Sequence, residues 1–147
     1  HFGDVGIVGG APGMAGAAWL AGRAALQLGA GRVFVGTLDA EAPRLDTRFP
    51  ELMLRLAAEI PALDRLTALV VGPGLGQSPA ALDVLEASLA QAVPLVLDAD
   101  ALNLVAQQEA LAVALRGRSM PTLITPHPAE AGRLLRATTA EVQADRL

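Results

Sequence analysis

The sequence predicts an α/β chain, a mainly parallel sheet flanked by helices, and three observations carry that prediction. Short runs rich in valine and leucine alternate with longer segments of helical apolar spacing along the whole chain. That alternation builds parallel strands joined by right-handed crossovers. Turns rich in glycine, proline or aspartate follow the clearest strands. No internal repeat, charge block or linker divides the 147 residues, which read as one domain or part of one.

Val5 to Gly9 is a short buried strand that enters the turn Gly10-Ala11-Pro12-Gly13. A helix follows, in which Ala17, Leu20, Ala21, Ala24, Ala25 and Leu28 recur at the spacing of one apolar stripe. Gly29-Ala30-Gly31 ends it. Trp19 and Leu26 fall off that stripe, which suits either a broad sheet-facing surface or contact with a second layer or subunit. Arg32 to Leu38 is the second strand, with Asp39 at its end. The pattern weakens from Ala40 to Pro50; Glu51 to Leu54 then suits a short strand and Leu56 to Ile60 a short helix.

Thr67 to Gly72 is a strand that runs into Gly72-Pro73-Gly74-Leu75-Gly76-Gln77-Ser78-Pro79. Ser78 suits the N-cap and Pro79 the first position of a helix over Ala80 to Gln91. Pro94 to Leu97 is another strand, ending on Asp98-Ala99-Asp100. A helical region from Ala101 to Leu115 is expected to break near Gln107-Gln108. Thr122 to Ile124 is the last strand and leads into Thr125-Pro126-His127-Pro128. Glu130 to Arg136 is helical, and Thr138 and Glu141 have capping-box spacing for a final helix cut short by the chain end.

Composition narrows the function. The chain is 52% hydrophobic and 18% charged, with a net charge of −4, which argues against a nucleic-acid surface. No apolar run is long enough for a membrane span, since Arg23 and Gln27 interrupt the stretch from Met14 to Gly31. His1-Phe2-Gly3-Asp4 lacks a basic leader, so the cytoplasm is the expected compartment. A first residue other than Met, with a strand beginning near residue 4, leads us to expect that something upstream was removed. Cysteine is absent, which excludes disulfides, thiolate metal sites and cysteine nucleophiles. Lysine is absent too, which excludes a Walker A site and Schiff-base chemistry.

Ligands of open parallel sheets bind beyond the carboxyl ends of the strands, where the informative residues collect. The glycines at 72, 74 and 76 leave backbone N–H groups uncovered, and the next helix aims its N-terminus at them. That combination suits an anion seat, or a tight turn that binds nothing. Gly10, Gly13 and Gly16 do not have G-x-G-x-x-G spacing, although Asp39 stands where a ribose-binding acid would. A nicotinamide-binding Rossmann domain is therefore the second reading. Asp98 suits a ribose hydroxyl or a metal carrying phosphate, whereas Asp100 suits the N-cap of the helix after it. Asn103, in that helix's first turn, faces the same cleft or only solvent. His127, fixed by Pro126 and Pro128 in an extended loop, suits a contact role. Glu130 fits the first turn of a helix better than the role of general base. Arg44, Arg48, Arg116 and Arg118 read as solvated surface.

Ile7-Val8-Gly9-Gly10, Met14-Ala15-Gly16-Ala17-Ala18, Gly72-Pro73-Gly74-Leu75-Gly76, Leu97-Asp98-Ala99-Asp100-Ala101-Leu102-Asn103 and Thr125-Pro126-His127-Pro128-Ala129-Glu130 occur in that order. Together they resemble the ADP/ATP-dependent NAD(P)H-hydrate dehydratases of the ribokinase-like superfamily, over nearly all of the chain. The resemblance implies repair of hydrated NADH or NADPH with ADP or ATP and Mg²⁺, by phosphorylation of the hydrate's hydroxyl and elimination. It also implies that Ala17, Gly74 and His127 line the substrate site; Asp98 is expected there from its own place at a strand end. Two departures stand out. Ala129 replaces a usual glycine, and the 147 residues contain neither the family's Lys-Gly strand nor its Gly-Thr-Gly-Asp turn. In the family that turn carries the catalytic aspartate, so this residue is expected beyond Leu147. The chain is thus expected to be the substrate-side half, inactive alone. The same turns also suit a small-molecule kinase of ribokinase type, or a non-catalytic module acting by association. A homo-oligomer is expected.

Overall fold

The computed structural model describes residues 2–145. Among them, strands and helices alternate as β1 (Asp4–Gly9), α1 (Ala15–Gln27), β2 (Arg32–Thr37), β3 (Met53–Leu56), a 3-10 turn (Ala57–Glu59), β4 (Ala68–Val71), α2 (Pro79–Leu89), β5 (Leu95–Leu97), α3 (Asp100–Gln107), α4 (Glu109–Arg116), β6 (Thr122–Ile124), α5 (Pro128–Leu135) and α6 (Thr139–Ala144). All six strands join one sheet in the order β3-β2-β1-β4-β5-β6. Every pairing in it is parallel. The carboxyl ends of β1, β4, β5 and β6 therefore lie along one rim. The break near Gln107-Gln108 is present, where α3 stops at Gln107 and α4 starts at Glu109. β3 begins two residues later than expected, and the short helix after it is a 3-10 turn.

The capping box expected at Thr138 and Glu141 is formed at the start of α6. The helix spans Thr139–Ala144, with Asp145 as its C-cap donating to the Glu141 carbonyl, and the residues after Asp145 lie outside the described ones. Leu147, beyond which the catalytic aspartate is expected, lies outside the described residues.

Alternation along the strands divides the core. Val8, Leu69, Val71, Leu95 and Leu97 share one face with Leu85 of α2, Leu102 of α3 and Leu111 of α4. Ile7, Val33 and Val35 face the other way, against Ala18 of α1 and Leu52. Each such leucine or valine contributes about 1.5–3 kcal/mol when fully buried. Val70, Val96 and Leu123 stand in register on the α1 side of the sheet. That side is open toward β6, where Leu123 is 60% exposed.

Helix α1 is rotated from the expected stripe. Ala18 and Gly22 are its buried residues. A Cβ on Gly22 would come within 2.5 Å of Val35 Cγ2, so helix and strand meet more closely than a side chain allows. Trp19 and Leu26 pack against that core, while Leu20 and Leu28 are 64% and 90% exposed.

Two charged groups organise what looked patternless. Asp46, buried in the stretch between β2 and β3, accepts from Arg23 Nε at 2.7 Å and from the Arg48 and Phe49 amides at 3.0 and 3.2 Å. The bond from Arg23 holds its carboxyl below the usual carboxylate range. Arg118 is not solvated surface. It donates to the Leu89, Gln91 and Val93 carbonyls and to Thr122 Oγ1, tying the turn before β5 to the turn before β6. Burial lowers its pKa. Arg44, Arg48 and Arg116 are exposed, as expected.

Candidate functional site

The rim is assembled by its own backbone. After β1, the Gly10 amide donates to the Pro73 carbonyl at 3.0 Å and the Ala11 amide to the Gly74 carbonyl at 2.7 Å. The turn after β4 thus folds over the turn after β1. Leu75, fully buried, anchors it in the core. Gly72 has φ +132°, and a Cβ there would fall 1.8 Å from the Asp98 carbonyl oxygen. Gly74 has φ +61°, and a Cβ there would lie 2.8 Å from the Met14 carbonyl oxygen and 3.1 Å from Ala17 Cβ. Ala17 and Gly74 are therefore brought into contact. Met14, whose carbonyl completes that wall, gave no sequence signal because its backbone makes the contact.

At the start of α2 the expected cap is present: Ser78 accepts from the Ala81 amide at 3.2 Å, with Pro79 in the first turn. The anion seat is partly filled from within. Asp100 Oδ2 accepts the Gly76 amide at 2.9 Å, so one turn donor already faces a carboxylate. Asp100 is not the N-cap of α3. Ala99 takes that place, at φ +49° and ψ −118°, and makes no side-chain cap bond.

Asp98 looks the other way along the rim. Its Oδ1 accepts from Thr125 Oγ1 at 2.7 Å, and Thr125 Oγ1 also lies 3.3 Å from the Leu97 carbonyl. Thr125, quoted only as part of its motif, links β5 to the loop carrying His127. Asn103 accepts from Arg133 at 2.8 Å, so it joins α3 to α5.

His127 is the N-cap of α5. Its Nδ1 accepts from the Ala129 amide at 3.1 Å, and its Nε2 lies 3.1 Å from Glu130 Oε1. Glu130 Oε2 accepts the His127 amide at 3.0 Å, which completes a capping box. Glu130 is only 5% exposed, whereas the His127 side chain is 59% exposed. Both ring nitrogens are engaged locally, and the ring stays open to a ligand. Ala129 sits inside α5, where alanine is at ease. Gly74 follows β4 and His127 follows β6, and those two strands stand two places apart in the sheet with their carboxyl ends on one rim.

The strand order coincides with that of the doubly wound dinucleotide folds, which place pyrophosphate at the start of the first helix. Here the β4 turn occupies that place, with Gly74 against Met14 and Ala17. Asp39, the expected ribose acid, accepts the Glu41 amide at 3.0 Å in a local turn. The second reading therefore loses its binding seat.

A family model described as NAD(P)H-hydrate dehydratase matches residues 5–147. The chain is 43% identical over 148 residues to the ADP-dependent (S)-NAD(P)H-hydrate dehydratase of Neisseria meningitidis, covering 99% of this chain and 50% of that protein. It is 40% identical to the ATP-dependent (S)-NAD(P)H-hydrate dehydratase of Bos taurus, covering 92% of this chain and 44% of that one. Among solved structures, the Bacillus subtilis ADP/ATP-dependent NAD(P)H-hydrate dehydratase co-crystallised with ATP/Mg²⁺ and soaked with CoA superimposes with a TM-score of 0.77 at 28% identity. That match covers 99% of this chain and 53% of the other. A ribokinase-like superfamily protein of Enterococcus faecalis matches with a TM-score of 0.77 at 26% identity, over 95% of this chain and 50% of its own. The chain thus spans about half the length of these relatives.

Proposed function

The chain belongs to the NAD(P)H-hydrate dehydratase family, and we propose that its rim is the substrate side of such an enzyme, holding hydrated NADH or NADPH. The observation that carries this reading is the close seat of Gly74 on Ala17, on the same rim as the exposed His127 ring. Gly74 and Ala17 form a wall almost free of side chains, against which a flat nucleotide ring can lie. Asp98 Oδ2 has no hydrogen-bond partner among the described residues and is free to accept a ribose hydroxyl. The capping box fixes His127, so its ring forms the opposite limit of the cleft.

In the whole protein, ADP or ATP with Mg²⁺ would supply the phosphoryl group that makes the hydrate's hydroxyl a leaving group. The residues here do not fit that second site. Among the described residues no three of His, Asp and Glu gather as a metal site. Asp98 and Asp100 turn to different partners, and Arg133 is committed to Asn103. The nucleotide site and the catalytic aspartate are therefore assigned to a segment beyond Leu147, and the 147 residues to a partial domain. Relatives about twice as long support that division.

The same reading extends to setting. No helix among the described residues is long and apolar enough to cross a membrane. The exposed Leu20 on α1 and Leu28 at its C-cap suit burial against a second copy. Calorimetric titration of this chain with hydrated NADPH and with NADPH tests the reading. Saturable binding of the hydrate, lost in Gly74→Ala and weakened in His127→Ala, is expected. Heat unchanged by either substitution contradicts it.

A further inference from the structure

We infer that Asp100 is a positioning residue: from the strained pivot at Ala99, its carboxylate holds the Gly76 amide and so fixes Gly74 relative to His127. This rests on the reading of the rim as a nucleotide site. Three observations converge on it. Ala99 adopts φ +49°, ψ −118°, a conformation that an alanine holds only where its surroundings enforce it. Each neighbour supplies such an anchor, and the two anchors point in opposite directions along the rim. Asp98 is tied by its amide to Val71 at 3.1 Å and by its carboxylate to Thr125 at 2.7 Å, on the way to His127. Asp100 is tied at 2.9 Å to Gly76, two residues beyond Gly74.

The result is a clasp across three strand ends. Gly72 is pressed under the Asp98 carbonyl, where no Cβ fits, so the floor of the clasp is rigid. The Ala11 amide and buried Leu75 hold one limb of the turn, and what remains to be held is the far limb at Gly76, a glycine of positive φ and weak intrinsic preference. Asp100 supplies that hold from the first turn of α3, where its charge also favours the helix N-terminus. A purely structural role would stop at that helix. A positioning role reaches the ligand wall.

The test compares Asp100→Ala and Asp100→Asn in the 147-residue chain. Exchange at Leu75 and Gly76, two hydrogen-bonded amides of the turn, is followed by NMR, hydrated NADPH affinity by titration well below the unfolding midpoint, and the midpoint itself by heating. Asparagine retains an acceptor, so Asp100→Asn is expected to keep affinity within about threefold, whereas Asp100→Ala loses about tenfold or more. Faster exchange at Leu75 as well as at Gly76, without a change at Ala129, should accompany that loss. If Asp100→Ala does not fold, Asp100→Ser, whose hydroxyl falls short of the turn, replaces it. Wild-type affinity and wild-type Leu75 exchange in Asp100→Ala overturn the inference, whatever happens to the midpoint. If the wild-type chain itself does not bind the hydrate, the rim's assignment fails, and amide exchange alone decides whether the clasp exists.

Discussion

Gly74 lies directly over Ala17, so close that a methyl group on the glycine would stand 3.1 Å from the alanine Cβ and 2.8 Å from the Met14 carbonyl oxygen. The turn after β4 and the first turn of α1 thus form one surface, and its geometry depends on a missing side chain. Gly74→Ala should cost about 1–3 kcal/mol through its positive φ and the contact with Met14. Gly72→Ala should cost more, because its Cβ meets backbone at 1.8 Å rather than a movable group. Urea unfolding of both variants checks the order; equal midpoints would refute it.

Arg118 spends its guanidinium on three carbonyls and one hydroxyl in two adjoining turns. Arg118→Ala should destabilise the chain by about 2 kcal/mol by leaving those carbonyls unpaired. Arg118→Lys should recover little, since one ammonium cannot span the same fork. Thermal unfolding of the pair distinguishes this from a charge effect, in which lysine would restore stability.

Asp46 links stability to pH. Its carboxyl is held below the ordinary aspartate value of ~3.9, first by the Arg23 hydrogen bond and then by the Arg48 and Phe49 amides. A carboxylate lowered on folding stabilises at pH above its unfolded value, and that contribution disappears as pH falls through its folded value. Asp4, held low by Arg32, acts in the same direction. Asp46→Asn should lower stability at neutral pH and flatten the loss on acidification below about pH 4. Chemical denaturation across pH 2 to 7 (roughly the range in which aspartate titrates) reads this, and parallel curves for variant and wild type would exclude it.

Trp19 carries a buried indole N–H with no partner among the described groups. Trp19→Phe removes that donor while keeping most of the ring, so the change should stay within about 1 kcal/mol. Trp19→Ala should cost about 3–5 kcal/mol. If phenylalanine costs as much as alanine, the indole nitrogen has a partner inside the fold, such as an ordered buried water.

The strands were legible because short valine- and leucine-rich runs end in turns of glycine, proline or aspartate. Helix α1 was legible as a helix but not in phase: Ala17, Ala18, Ala21, Ala24 and Ala25 leave an apolar period with no sharp edge. Its contact with β2 is marked instead by Gly22, a residue that hydropathy does not weigh. Asp46 and Arg118 looked featureless because Arg23, in the one case, and the Leu89, Gln91 and Val93 carbonyls, in the other, lie 23 to 29 residues away. The rim was legible as four turns of similar character. Its internal wiring was not, since Asp100 to Gly76 and Thr125 to Asp98 join positions 24 and 27 residues apart.

The most direct measurement is amide chemical-shift mapping of the isotopically labelled chain titrated with hydrated NADPH. Saturable shifts centred on Ala17, Gly74, Asp98 and the loop of His127, absent or weaker with NADPH, are the predicted result. Shifts clustered away from the carboxyl ends of β1, β4, β5 and β6, or none at saturating hydrate, would contradict the account.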